Sequence, residues 1–196
     1  MSRRRTGVAP LSLLEGALLG LLHDEPRSGY ALRKVFQDTP MFIFSDSPGS
    51  IYPALRRLEA RGTLRSTVEA ARTLRPRQVF RLTREGTAAL EAWLSAPVTR
   101  DTVVRGLDGA MLRFAFLDRV LGREATAAFL DALARELAAH VAALEGFHTS
   151  RARELPLTGR LALESGIDGY NARLTWARRA ARHFKASRTD AKGEDR

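Results

Sequence analysis

Ser47-Pro48-Gly49-Ser50-Ile51-Tyr52-Pro53-Ala54-Leu55-Arg56-Arg57-Leu58-Glu59-Ala60-Arg61-Gly62 carries signals for both of its own ends. The Ser47 hydroxyl can accept a hydrogen bond from an early free N–H, as a helix N-cap does. Pro48 suits the first helical position, where no N–H is needed. Gly62 can take the left-handed conformation that stops a helix. Between these signals Ile51, Leu55 and Leu58 recur at helical spacing and mark one apolar face. The opposite face carries Gly49, Pro53, Arg56 and Arg57, with Tyr52 on its flank. The spacing predicts a short helix that lies on a scaffold and shows an arginine-bearing side to a polyanion.

The charge distribution agrees with that reading. The 196-residue chain has a net charge of +10. Between Ser50 and Arg84 stand Arg56, Arg57, Arg61, Arg65, Arg72, Arg75, Arg77, Arg81 and Arg84, against Glu59 and Glu69 alone. That is nine positive charges and two negative, plus seven in under a fifth of the chain. Residues 101–196 hold sixteen basic and thirteen acidic side chains, only plus three. A basic patch beside a near-neutral remainder is the electrostatic footprint of a nucleic-acid-binding protein. With 44% hydrophobic residues the chain has apolar material for a core. It has 0 cysteines, which excludes disulfides, thiol nucleophiles and thiolate metal sites. No apolar run is long enough to span a bilayer, and a cytoplasmic location is expected.

Residues 1–10 read as a disordered basic arm, in which Arg3, Arg4 and Arg5 are solubilising or touch DNA. Residues 11–97 read as one DNA-binding domain. Leu11, Leu14, Leu18, Leu21 and Leu22 predict a first helix ending before Asp24-Glu25-Pro26, and Ser28 caps a second. Pro40 and Met41-Phe42-Ile43-Phe44 form a connector. Three short helices in this order are the helix-turn-helix plan. After Gly62 the period changes. Leu64–Val68 and Gln78–Leu82 alternate as strands around a basic tip holding Arg72, Arg75 and Arg77, which makes a wing. Thr83 caps a fourth helix, with Ala88, Leu90 and Trp93 among its apolar positions. Residues 98–185 read as a helical dimerisation and effector domain, and 186–196 as a disordered tail. Leu130, Leu133, Leu137, Val141 and Leu144 mark one seam there; Tyr170, Leu174, Ala177 and Ala181 mark another. Such three-four spacing packs against other helices, and pairing of two subunits is the expected completion, with a self-contained helical cap as the alternative. The expected fold is mainly α with a small β-wing: a winged helix-turn-helix followed by a C-terminal helical domain.

Three stretches of the sequence resemble the PadR family of bacterial transcriptional regulators. They are Ser28-Gly29-Tyr30-Ala31-Leu32, Gly49 to Gly62, and Val79-Phe80-Arg81-Leu82-Thr83-Arg84-Glu85-Gly86, in that order and spacing. The second half, with Leu161-Ala162-Leu163-Glu164-Ser165-Gly166-Ile167 and Leu174-Thr175-Trp176-Ala177, is similar to the C-terminal domain of the longer members. The resemblance implies a dimeric winged-helix regulator, usually a repressor, with paired C-terminal helices. Some members of the family respond to small aromatic or amphipathic ligands, and by that analogy such an effector is a candidate partner here. The wing departs from the family: Thr73, Leu74 and Pro76 interrupt its basic run.

The DNA-binding residues expected are Gly29, Tyr30, Ser47, Ser50, Tyr52, Pro53, Arg56, Arg57, Arg72, Arg75 and Arg77. For Arg56 and Arg57, a fork onto guanine and a plain phosphate contact both stay open. Tyr52 reads as half core and half phosphate contact. Gly29 and Tyr30 open the second helix, whose N–H groups can receive a phosphate; packing alone is the other reading of Tyr30. Trp93, Phe114, Phe116, Phe129, Phe147, Tyr170 and Trp176 read as core or interface, with an effector pocket as the alternative. Glu145 and His148 have one Glu-x-x-His spacing, too little for a carboxylate-bridged metal site. Glu136 and His140 read as a surface pair. No enzyme, cofactor, metal or membrane is expected. The function expected is a sequence-specific regulator, a homodimeric repressor on an inverted-repeat site in double-stranded DNA. A winged-helix protein-interaction adaptor is the alternative.

Overall fold

A computed structural model describes residues 10–39, 41, 49–69 and 77–190, with side chains as far as residue 186. The chain divides into two compact units between Ser95 and Ala96. The first contains α1 (Leu13–His23), β1 (Arg27–Ser28), α2 (Gly29–Asp38), α3 (Ile51–Ala60), β2 (Leu64–Glu69), β3 (Arg77–Leu82) and α4 (Arg84–Leu94).

Three of the four helices of this unit, α1, α2 and α4, start where a side chain satisfies free N–H groups; the Ser50 side chain makes no such bond at α3. At α1 the Ser12 hydroxyl accepts from the Glu15 N–H (3.2 Å), and the Glu15 carboxylate accepts from the Ser12 N–H (3.1 Å). This reciprocal box satisfies two orphan donors. Ser28 caps α2 through the Ala31 N–H, and Thr83 caps α4 through the Gly86 N–H. The α3 helix is shorter than its sequence signals predict. Its N-cap position is Ser50, because Gly49 and Ser50 form a turn, and Pro53 falls in the first turn, where its missing N–H costs little. Ser47 and Pro48 lie outside the described residues. At the other end Gly62 has φ 73°. Its N–H bonds to the Glu59 carbonyl and the Thr63 N–H to that of Leu58, the Schellman arrangement.

Leu18, Leu19, Leu32, Ile51, Leu55, Leu58 and Leu90 are fully buried and form the core of this unit. At roughly 1.5–3 kcal/mol for each buried aliphatic side chain, this term outweighs any exposed ion pair, worth about 0–1 kcal/mol. A Cβ on Gly16 of α1 would stand 2.5 Å from the Trp93 ring, so glycine there seats the indole of α4. Ala88 is exposed, unlike its expected apolar role, because the buried side of α4 is carried by Gly86, Leu90 and Leu94. The sheet is antiparallel with order β1-β3-β2. β2 and β3 pair from Leu64 opposite Leu82 to Glu69 opposite Arg77. Strict alternation fails in both strands. Only Leu64 of β2 is buried, since the strand runs out from the helices as an edge; Val68 is 74% exposed. Consecutive Val79 and Phe80 of β3 are both buried, because this central strand packs against α1, α2 and α4.

The second unit contains α5 (Arg100–Arg105), α6 (Leu107–Arg151), a 3-10 turn (Ala152–Glu154) and α7 (Leu157–Asp190). α6 is broken at Gly122, whose φ 81° and ψ 175° belong to a region open essentially to glycine. The break lets Phe114 of the first arm lie against Trp176 and Phe184 of α7, with centroids 5.3 and 6.3 Å away. The second arm runs antiparallel to α7. Leu130, Leu133, Leu137 and Val141 of α6, with Leu174, Ala177 and Ala181 of α7, are buried within the one chain. The seam expected to pair two subunits therefore closes inside a single subunit; Leu144 and Tyr170 of that set are half-buried. The aromatic set divides similarly. Phe114, Phe129 and Trp176 form a cluster in this unit, and Phe147 is exposed. His140 is not a surface partner of Glu136: its ring meets Tyr170 edge-on at 4.5 Å. The α7 helix runs to Asp190, past the point where a tail was expected, since residues 186–190 hold no glycine or proline. No helix among the described residues is long and apolar enough to cross a membrane.

Candidate nucleic-acid interface

The α3 helix has two unlike sides. Ile51, Ala54, Leu55 and Leu58 are buried against the scaffold, while Tyr52, Pro53, Arg56 and Arg57 are exposed. An outward row of this kind, one helix turn of small, aromatic and guanidinium groups, fits the dimensions of a major groove.

The two neighbouring arginines differ in environment. Arg56 is exposed and makes no hydrogen bond or ion pair with the other described residues. Arg57 donates from Nε to a carboxylate oxygen of Glu15, 3.1 Å away on α1, and Arg61 donates from Nη1 to the other oxygen at 3.3 Å. Glu15 is only 3% exposed. Burial pushes its pKa up, but the Ser12 N–H and the two guanidiniums outweigh this and hold the carboxyl below its ordinary value. Sequence reading paired the two arginines as equivalents and did not single out Glu15. Its one visible signal was the Ser12-x-x-Glu15 box.

Tyr52 lies across the start of α2. A Cβ on Gly29 would stand 2.7 Å from its Cε1, so glycine at 29 makes room for the ring. Tyr52 remains 40% exposed. Tyr30, 63% exposed, carries the Arg33 guanidinium over its ring at 5.6 Å. Gly29, Tyr30, Ser50, Tyr52, Pro53, Arg56 and Arg57 thus come from two adjoining helix starts and one helix face. Arg77 is exposed at the outer end of β3, opposite Glu69. Ser47, Arg72 and Arg75 lie outside the described residues. Glu59 ties the wing to α3 by accepting from the N–H and hydroxyl of Ser66 at 3.1 and 2.6 Å.

Residues 18–92 match the model of the transcriptional regulator PadR-like family. Over that span the chain belongs to the PadR-like family. This PadR-like protein is a transcriptional regulator with a winged helix-turn-helix domain. It is 28% identical over 130 residues to the negative transcriptional regulator PadR of Bacillus subtilis strain 168, covering 65% of this chain and 69% of that one. Among solved structures it is similar to the PadR-like regulator BC1756 of Bacillus cereus, at 24% identity and TM-score 0.39, covering 89% of this chain and 99% of that one. Bacillus subtilis PadR in complex with operator DNA matches at 21% identity and TM-score 0.42, over 89% and 99% of the two chains.

Proposed function

We propose that this PadR-like protein is a repressor that binds a specific inverted-repeat operator as a homodimer and is released by a small aromatic or amphipathic effector. The observation that carries the reading is the exposed row Tyr52, Pro53, Arg56 and Arg57 on a helix whose other side is sealed into the core. Ser50 and Tyr30 adjoin that surface, and the N–H groups at Gly29 open the helix beside it. Ser47, Arg72, Arg75 and Arg77 are assigned DNA contacts on their sequence alone, the three arginines on flanking phosphates. The negative sense of control rests on the Bacillus subtilis relative. A two-fold dimer would present two such helices to half-sites about 34 Å apart, or a multiple of it. With the α6–α7 seam closed internally, Val104, Phe147, Leu157 and Leu161 are the large apolar side chains exposed in the second unit among the described residues. Phe147, Leu157 and Leu161, near the α6–α7 turn, are the ones offered to a partner subunit. An effector has room in a cavity of about 390 Å³ between α5, the start of α6 and α7, lined by Val103, Leu107, Tyr170 and Arg173 among others. That volume falls within the range of small-molecule sites.

The test is a gel shift on the DNA upstream of the protein's own gene, repeated with Arg56→Ala and Arg57→Ala. Selective retardation that the substitutions weaken is expected. Binding to every duplex alike would favour the adaptor reading. Sedimentation of the free protein as a dimer, lost in a Phe147→Glu/Leu161→Glu variant, checks the assembly.

A further inference from the structure

The Arg57–Glu15 and Arg61–Glu15 contacts join residues 42 and 46 positions apart in the sequence, and they lie beneath the face proposed to meet DNA. We propose that Glu15 is a positioning residue for DNA recognition, reserving Arg57 and Arg61 for the phosphate backbone and leaving Arg56 to read base edges. This rests on the DNA-binding reading above and goes beyond it.

A buried carboxylate must keep its donors, because an uncompensated charge in that position is costly. Glu15 accepts from the Ser12 N–H, from Nε of Arg57 and from Nη1 of Arg61. These bonds use both of its oxygens. Arg57 therefore approaches a duplex with its Nε edge already occupied and its side chain drawn towards α1. Its Nη groups remain free for a phosphate, and half of the side chain is exposed (52%) to deliver them. Reading guanine takes two parallel N–H donors aimed into the groove. Only Arg56 of the adjacent pair has its whole fork unengaged among the described residues. The position of Glu15 at the start of α1, where a helix end favours negative charge, fixes the anchor on a rigid element.

The role has a signature that general weakening of the fold does not share. Glu15→Gln removes one negative charge beneath the basic face while keeping a side chain able to complete the capping box. Binding to a scrambled duplex should hold or tighten. Binding to an operator selected by the wild-type protein from randomised DNA should weaken, so the selectivity ratio falls about tenfold, the size of one lost base contact. In the second arm, Arg57→Ala should weaken operator and scrambled duplex alike. It should also lower the slope of log K against log salt by about one. Arg56→Ala should relax base choice at one position of each half-site. An unchanged ratio in Glu15→Gln, or equal weakening on both duplexes, overturns the proposal. So does loss of base preference in Arg57→Ala, which stands as a test even if the Glu15 variant does not fold. A wild-type protein without selectivity sinks the DNA-recognition reading itself, and this proposal with it.

Discussion

Glu15 is the acidic group on which the PadR-like domain's electrostatics turn. Its carboxyl titrates below the ordinary glutamate range in the folded protein, because the Ser12 N–H and two guanidiniums outweigh the effect of burial. A lowered folded pKa adds stability above the unfolded value of about 4.3, and this is lost as pH falls through the folded value. The melting temperature of the wild type should therefore exceed that of Glu15→Gln at pH 7, and the gap should close below about pH 4. A gap constant from pH 7 to pH 3 would show that the ion pairs contribute nothing. Gly29 makes a second prediction. An alanine there must displace the Tyr52 ring, so Gly29→Ala should cut operator affinity while leaving the salt dependence of binding unchanged. A titration at several salt concentrations checks both parts.

The elements are held by joints at which a methyl group decides stability. A Cβ on Gly86 would overlap the Thr63 carbonyl oxygen, where the first turn of α4 meets the end of α3. Gly86→Ala should cost about 1–3 kcal/mol, as overpacking does. Gly146 is the contrasting case. It sits exposed in the second arm of α6, a built Cβ finds nothing within 4 Å, and its backbone is helical. Gly146→Ala should stabilise the protein by about 0.5–1 kcal/mol, the difference in helix propensity. Urea denaturation of the two variants reads both, and the same sign for both would refute the joint argument.

Across the whole molecule, the concentration of nine arginines between Ser50 and Arg84 governs how the protein meets a polyanion. Counterion release makes log K fall linearly with log salt by about 0.9 for each phosphate neutralised. With Arg57, Arg61 and the wing on the backbone, the wild-type slope should be at least three per subunit by that relation. A slope near zero in a titration from 50 to 300 mM salt would remove DNA as the partner. The second unit, near neutral by sequence, should contribute little to it.

The sequence by itself determined the order of elements in the first unit, the caps at Ser28 and Thr83, the stop at Gly62 and the outward face of α3. These are local matters, set by 3.6-residue periodicity and by which side chains can satisfy a free N–H. It also showed, through Ser28–Leu32 and Gly49–Gly62, which family the domain resembles. Tertiary structure alone decided the rest. That Arg57 is anchored and Arg56 is not depends on bringing Glu15 beside a helix 42 residues later, which no spacing rule reports. That Gly29 serves Tyr52 depends on two helices touching. Likewise, the seam from Leu130 to Ala181 carries the same three-four pattern whether its partner is another subunit or its own chain. The break at Gly122 and the turn at Ala152–Glu154 bring α6 and α7 together, and so choose the latter. Periodicity records that a helix face is apolar; what covers it depends on where the chain returns.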